Sequence, residues 1–397
     1  MRILIVSTWF PYPPDNGSKL RAFHLLGELA KRHEVSLVSF CDSGPPEPAD
    51  LTALRSVCAS VEAIPRSAFV RGPLTKRGLL TSVPRSYVQG YSQQMEQEIR
   101  NRVPAHDAAL ALQVQAAVHL RGTLTVPALF EEAEVAVIED QTASARRPIR
   151  RLRRHLTWWK YARFVRSLCQ RFDHTTVVSD AERARLARIG CDPARLSVVP
   201  NGVDDADLAW QQTRAQCRLV YPGALTYSAN VDAVRWFLAE ILPAIRSARP
   251  DVEFFVTGST SGVAVADLPN ARMATFTGHL SDVRPAIAGS TACVVPLRVG
   301  GGTRLKILQA MALGTPVVAT SKGAEGLALT PGRDILIGDT PEQFASHVVH
   351  LLSYPALRER IAGAARALVG NGYTWEHSAA TLDDTLHQSV SEWKAAR

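Results

Sequence analysis

"VGGGTRLKILQAMALGTPVV", residues 299–318, is the stretch on which the reading of this chain turns. It follows an apolar run, "TACVVPL" (291–297), that reads as a buried strand, and it runs into a second, "PVVAT" (316–320). Between them, Gly300, Gly301 and Gly302 lead into residues with helical spacing from about Thr303. Strand, glycine turn, helix and strand is the repeat of a parallel sheet covered by helices. The turn also poses a charge problem. Arg304 and Lys306 fall in the expected first turn of the helix, where the helix dipole favours carboxylates. Glycines let a backbone approach a ligand closely, and the first N–H groups of a helix lack internal partners. An anion over the helix end would therefore supply the missing negative charge, and a phosphate or diphosphate fits best. The alternative is a flexible loop with two solvated cations. Lys306 does not have the spacing of a P-loop lysine.

The same rhythm extends in both directions. Upstream, "RILIVST" (2–8), "EVSLVSF" (34–40), "DAALAL" (107–112), "PALF" (127–130), "TTVVS" (175–179) and "LSVVP" (196–200) read as short buried strands separated by helical stretches. Such continuous apolar runs mark a parallel sheet buried on both faces. "PNGVDDADL" (200–208) then breaks the pattern with turn residues. "CRLVYPG" (217–223), the amphipathic "NVDAVRWFLAEILPAIRSA" and "VEFFVTG" (252–258) restart it, and residues from about 341 onward read as helical. A chain of 397 residues suits two domains of this kind. Ligands of open α/β sheets bind outside the carboxyl ends of the strands, and the glycine-rich and charged segments all follow strands.

Composition narrows the classes further. Hydrophobic residues make up 46% and charged residues 21%, as in ordinary globular proteins. No apolar run approaches the roughly 18 residues of a membrane span. The apolar N-terminus alternates like a strand and lacks a small-residue cleavage site, unlike a signal peptide. Six scattered cysteines without a CxxC pair suit reduced thiols in a cytosol. The net charge of +8 is concentrated: residues 141–172 hold ten Lys and Arg and no Asp or Glu. Within that segment Trp158, Tyr161, Ala162, Val165, Leu168, Cys169 and Phe172 share one helical face. That face suits packing on the chain's own domain, while the arginines of 146–154 suit either solvent or an anionic membrane surface.

Other segments carry candidate chemistry. "FPYPPDNGSKLR" (10–21) follows the first strand, and Gly17 opens a helix whose N–H groups can form a second anion nest; an ordinary helix N-cap is the alternative. Gly223 ends another strand. "LFEEAEV" (129–135) places Glu131, Glu132 and Glu134 past a strand, either as a solvated acidic edge or as acid/base groups, with Glu134 the candidate catalytic residue. No histidine stands at ligand spacing, so no metal site is expected. Glu325, in the turn after "PVVAT", can accept hydrogen bonds from sugar hydroxyls or serve only as a turn carboxylate.

These segments together resemble the glycosyltransferases of the B fold, specifically family 4, group 1, the retaining, sugar-nucleotide-dependent transferases. The resemblance rests on "RILIVSTWFPYPPDNGSKLR", "VVSDAERARL", "VVPNGVD", "YPGALTYSANVDAVRWFLAEILP" and "VVPLRVGGGTRLKILQAMALGTPVVATSKGAEGL", and is similar to a branch common in bacterial polysaccharide gene clusters. It implies two Rossmann-like, doubly wound parallel-sheet domains facing across a cleft: 1–205 on the acceptor side, 206–375 holding the donor, and a helix at 376–397 crossing back. It implies transfer of a hexose-type sugar from a nucleoside diphosphate sugar to a polysaccharide, lipid-linked or small-molecule acceptor with retention; no metal is needed if the two cations and the helix N-terminus stabilise the departing diphosphate, and no cofactor is expected. Arg304 and Lys306 correspond to the family's diphosphate-binding cations. Gly17, Gly223, Gly300, Gly301, Gly302, Thr303, Gln309 and Glu325 are the expected donor contacts. The family's Glu-x7-Glu pair is replaced here by Gly301 and Gln309, and the family's first-domain histidine by Gln113 and Gln115. The expected place is cytoplasmic, peripheral at the inner face of a membrane, without nucleic acid. A nucleotide-sugar epimerase of the same fold and a basic nucleic-acid-binding protein are the competing readings.

Overall fold

Every apolar run named above forms a strand. The computed structural model describes residues 1–42, 44–66, 83, 84, 87, 90–122, 124–143, 148–211, 217–302 and 304–397. Strands β1 (Arg2–Ser7), β2 (Glu34–Cys41), β3 (Ser60–Pro65), β4 (Ala108–Leu112), β5 (Ala128–Glu131), β6 (His174–Val177) and β7 (Leu196–Val198) make one sheet. Strands β8 (Arg218–Pro222), β9 (Glu253–Thr257), β10 (Thr275–Gly278), β11 (Ala292–Val295), β12 (Val317–Ala319) and β13 (Leu336–Ile337) make a second. Their orders are β3-β2-β1-β4-β5-β6-β7 and β10-β9-β8-β11-β12-β13. All the strand pairs are parallel.

The strand order reverses direction between β1 and β4 in the first sheet and between β8 and β11 in the second. At such a switch point the helices after the two neighbouring strands leave on opposite faces, and a crevice opens between them. Both sheets therefore present a ligand position fixed by topology. Each is sandwiched by helices over its own hydrophobic core, one including Leu4, Phe130 and Phe172, the other Tyr221, Phe254 and Met311.

The chain divides into two compact units, Met1–Pro200 with Trp375–Arg397, and Asn201–Thr374. The first thus stops at Pro200, where the sequence pattern suggested 205. The helix Trp375–Ala395 belongs to the first unit and packs on the helix Gly17–Ala30. Trp375 stacks on His24 with ring centroids 5.0 Å apart, and His33 Nε2 lies 2.7 Å from Asp383 Oδ1.

Three elements depart from the expected pattern for identifiable reasons. The single helix expected over 230–248 is interrupted by a wider π-type turn, Phe237–Ile241, between Ser228–Trp236 and Leu242–Ala248. Pro243 has no N–H to continue the α-ladder, and a π-turn absorbs the mismatch. The edge strands β3 and β10 carried no continuous apolar run because they are only partly covered.

Candidate functional site

The glycine turn sits where β11 ends, at the switch point of the second unit. Gly300 has φ 105° and Gly302 φ 76°, backbone angles that side chains resist. The helix that follows begins at Leu305, not at 303. Arg304 therefore precedes the helix instead of standing in its first turn, and Thr303 lies outside the described residues. Arg304 is buried and folds back on the turn, donating to the Gly301 carbonyl and, at 2.7 Å, to that of Gly300. The guanidinium thus fixes the shape of the turn.

Lys306 does occupy the first helical turn, which contains no acidic residue. Its Nζ donates to the Tyr221 hydroxyl and to Asn230 Oδ1, each at 3.1 Å, and lies 4.3 Å from the Tyr221 ring centre. Tyr221 in turn donates to Asn230 at 2.6 Å. This enclosure has an electrostatic consequence. Burial pushes Lys306 from 10.5 down to about 7, against the neighbouring Cys293 thiol and with help from Arg304. Gly223, which follows β8, completes the enclosure, since a Cβ there would lie 2.6 Å from Lys306 Nζ. Gly223, Gly300, Gly301, Arg304 and Lys306 are thereby brought together, along with Tyr221 and Asn230, which sequence reasoning missed. Tyr221 lies within an apolar strand run and Asn230 in a helix, and only the fold shows that both face Lys306.

The other expected residues of this unit are engaged elsewhere. Gln309 donates to Asp207 at 3.2 Å. Burial pushes that carboxyl up to about 6, against the hydrogen bond from Gln309. Glu325 accepts from Lys322, so the turn carboxylate is in an ion pair.

In the first unit, the carboxylates after β5 have three different fates. The solvated acidic edge considered for them does not occur at Glu131, which is fully buried against Arg21. Arg21 also donates to the carbonyls of Val199 at 2.8 Å and Pro200 at 2.9 Å, tying the end of β5 to the segment after β7. Glu132 has φ 59° and accepts from Gln113, itself at φ 71°, at 2.8 Å. Burial raises Glu132 to about 8, with Glu131 adding to the rise. Glu134 lines the same cavity, and its carbonyl accepts from the Tyr161 hydroxyl at 2.9 Å. That cavity, about 410 Å3, lies at the switch point of the first unit. Gly17 does open a helix, but the Asn16 side chain accepts from the Lys19 N–H, so the expected nest is partly capped.

One constellation was invisible at sequence spacing. Among the described residues, His33, Asp383 and His387 have ligand atoms within 4.8 Å of one another. Arg32 lies 3.5 Å from the other Asp383 oxygen, so the group reads as a polar pin between two helical segments.

Comparison with known proteins agrees with this architecture. Residues 16–207 match the family described as Glycosyltransferase Family 4, and residues 216–354 the family described as Glycosyl transferases group 1. A D-inositol 3-phosphate glycosyltransferase of Arthrobacter sp. strain FB24 is 29% identical over 232 residues, 54% of this chain and 55% of that one. A GDP-mannose-dependent mannosyltransferase of Corynebacterium glutamicum is 26% identical over 161 residues, 38% of this chain and 42% of that one. The chain thus spans about half the length of these curated relatives. Among solved structures, Anabaena HepE in complex with UDP superposes with a TM-score of 0.71, covering 98% of this chain and 100% of that one; at 15% identity the likeness concerns the fold. With one family match on each sheet-bearing unit, the chain belongs to the group 1 glycosyltransferases of family 4.

Proposed function

We propose that the protein transfers a sugar from a nucleoside diphosphate sugar to a hydroxyl-bearing acceptor, with retention. The observation that carries this reading is the second-unit switch point. There a glycine turn, an acid-free helix start and two cations converge on one position. As the bond to the sugar breaks, negative charge grows on the departing diphosphate. In this reading the helix N–H groups, Arg304 and Lys306 stabilise that charge more than the ground state, and the step calls for no metal. Relatives support a nucleotide donor, since HepE was solved with UDP and with UDP-glucose. In this reading Gly223, Gly301, Gly302, Gln309 and Glu325 contact the donor, Gly17 serves the acceptor side and Glu134 is the acid/base group; Thr303, also expected among the donor contacts, lies outside the described residues.

The same reading includes an anionic lipid surface on the cytoplasmic side, where a lipid-linked acceptor would be presented. On the helix Pro148–Cys169, Leu152, Leu156 and Trp159 are 64%, 61% and 60% exposed, at spacings that align them on one stripe. Arg163 lies 4.9 Å from the Trp159 ring. An exposed apolar ridge among cations suits insertion at the boundary of an anionic bilayer. No described helix is long and apolar enough to cross one.

The experiment is a thermal-shift panel of UDP, GDP, ADP and dTDP and their sugars, followed by product analysis. Stabilisation by one nucleotide, with sugar found on an added acceptor, supports the reading. No stabilisation by any of them refutes it, and free epimerised sugar would place the protein with the epimerases instead.

A further inference from the structure

The polar pin between the helix Gly17–Ala30 and the helix Trp375–Ala395 is made of metal-ligand atoms. Asp383 and His387 stand at i and i+4 on the second helix, a spacing that puts both side chains on one face. His33 meets them from the turn between the first helix and β2, 350 residues away along the chain. Its Nε2 lies 2.7 Å from Asp383 Oδ1, and His387 Nε2 lies 3.5 Å from the same oxygen. In a tetrahedral zinc site with bonds of about 2.0–2.1 Å, neighbouring ligand atoms stand about 3.3 Å apart. The two distances bracket that figure. His33 and Asp383 are nearly enclosed and preform their side of the site, while His387, 58% exposed, has room to close on an ion.

The surroundings favour a cation from one side and oppose it from others. A water-sized cleft, about 10 Å3, opens beside Asp383 between the two helices, with Glu28, Glu376 and Arg32 among its walls. Arg32 lies 3.5 Å from Asp383 Oδ2, and the Met1 amine lies 3.4 Å from His33 Nδ1. Both cations touch atoms that the ion leaves alone, so they lower the affinity without occupying the ligands.

We propose that His33 Nε2, Asp383 Oδ1 and His387 Nε2 bind one divalent transition-metal ion of the zinc class, which clamps the helix Trp375–Ala395 to the helix Gly17–Ala30. Two imidazoles and one carboxylate suit Zn2+ or Co2+, whereas Mg2+ and Ca2+ take oxygen ligands. With three protein ligands and one of them at the surface, the fourth position falls to water. His33 immediately precedes β2, so the site lies at the amino ends of the strands, opposite the carboxyl ends that form the switch-point cavity of this unit. The ion therefore fastens a helix and takes no part at that cavity. The proposal does not rest on the sugar-transfer reading.

The test uses the untagged full chain, stripped with EDTA and dialysed, and its H387A and H387C variants. ZnCl2 is titrated by calorimetry, with MgCl2 as the control. The wild type should bind about one Zn2+ per chain, H387A should bind it at least about tenfold more weakly, and H387C should recover binding because a thiolate is also a zinc ligand. ZnCl2 should raise the melting temperature of the wild type and slow chymotryptic cleavage within residues 375–395, with neither effect in H387A. CoCl2 should give the strong visible absorption of a tetrahedral site in the wild type alone of these two. Equal melting of H387A and the wild type in EDTA shows that the variant is folded. The proposal is overturned if no Zn2+ binds, if MgCl2 stabilises the wild type as much as ZnCl2 does, or if H387A binds Zn2+ like the wild type.

Discussion

Donor binding should take up a proton, and Lys306 is the reason. In the ligand-free protein its ammonium is enclosed by Tyr221, Asn230 and Gly223 and titrates at about 7. The displacement from 10.5 corresponds to about 5 kcal/mol against the charged form. A diphosphate over the helix end reverses the balance and restores the charge. At pH 8 a group titrating near 7 is only about 10% protonated, so binding UDP should draw in about 0.9 proton; at pH 7 the figure is about 0.5. UDP affinity should correspondingly fall about fivefold from pH 7 to pH 8. Calorimetric titration at pH 8 in HEPES and in Tris, whose ionisation enthalpies differ widely, reads the uptake from the difference in apparent heat. The terminal phosphate of UDP is already ionised at that pH and contributes little. K306M should abolish the buffer dependence. Equal heats in the two buffers for the wild-type protein would refute the argument, whatever the affinity.

Further outcomes follow from the same geometry. Without ligand, K306M should melt higher than the wild type at pH 7: the folded chain carries the charged lysine at a cost below about pH 7, and that cost is relieved as pH rises toward 10.5. R304A should lower turnover about 10²- to 10³-fold with an unchanged far-ultraviolet spectrum, because it removes both a cation and the clamp on the Gly300 and Gly301 carbonyls. Wild-type turnover in R304A would remove Arg304 from the site. R21M should cost about 3–5 kcal/mol of stability by leaving Glu131 buried without its partner, measured by urea denaturation, and R21M/E131L should recover much of that loss. The double variant melting no better than the single one would count against the ion-pair explanation. L152E/L156E/W159E should lose flotation with phosphatidylglycerol vesicles while keeping sugar transfer to a soluble acceptor. Equal flotation of this variant would exclude the stripe as the lipid contact.

The fold was largely legible because parallel strands buried on both faces leave continuous apolar runs, as in "RILIVST" and "TACVVPL". β3 and β10 were not, because edge strands need less apolar sequence. In the site, "GGGTRLK" suggested an anion position through a conflict between charge and helix polarity, and the structure leaves Lys306 alone in the first helical turn. What it did not announce is where the side chains go. Arg304 satisfies carbonyls of its own turn, and Lys306 meets Tyr221 and Asn230, which are 85 and 76 residues away. The carboxylates of "LFEEAEV" were visible as a group, but adjacent residues diverged. Glu131 met an arginine 110 residues distant, and Glu132 met the amide that stands in place of a family histidine. Spacing along a chain reports local geometry; such partners are set by strand order.

The placement of the helix Trp375–Ala395 in the first unit has a consequence for synthesis. The chain enters the second unit after Pro200 and leaves it after Thr374, and the two passages run side by side, joined by a bridge between Val203 and Thr374. The second unit is therefore an uninterrupted insert that can close on itself as it leaves the ribosome. The first must wait, with the His24 and His33 side of its helix bare, until Trp375 and Asp383 have been made. This arrangement predicts a folding order that reverses chain order. A chain truncated after Thr374 should display a protease-resistant second unit upstream of which the first is still cut.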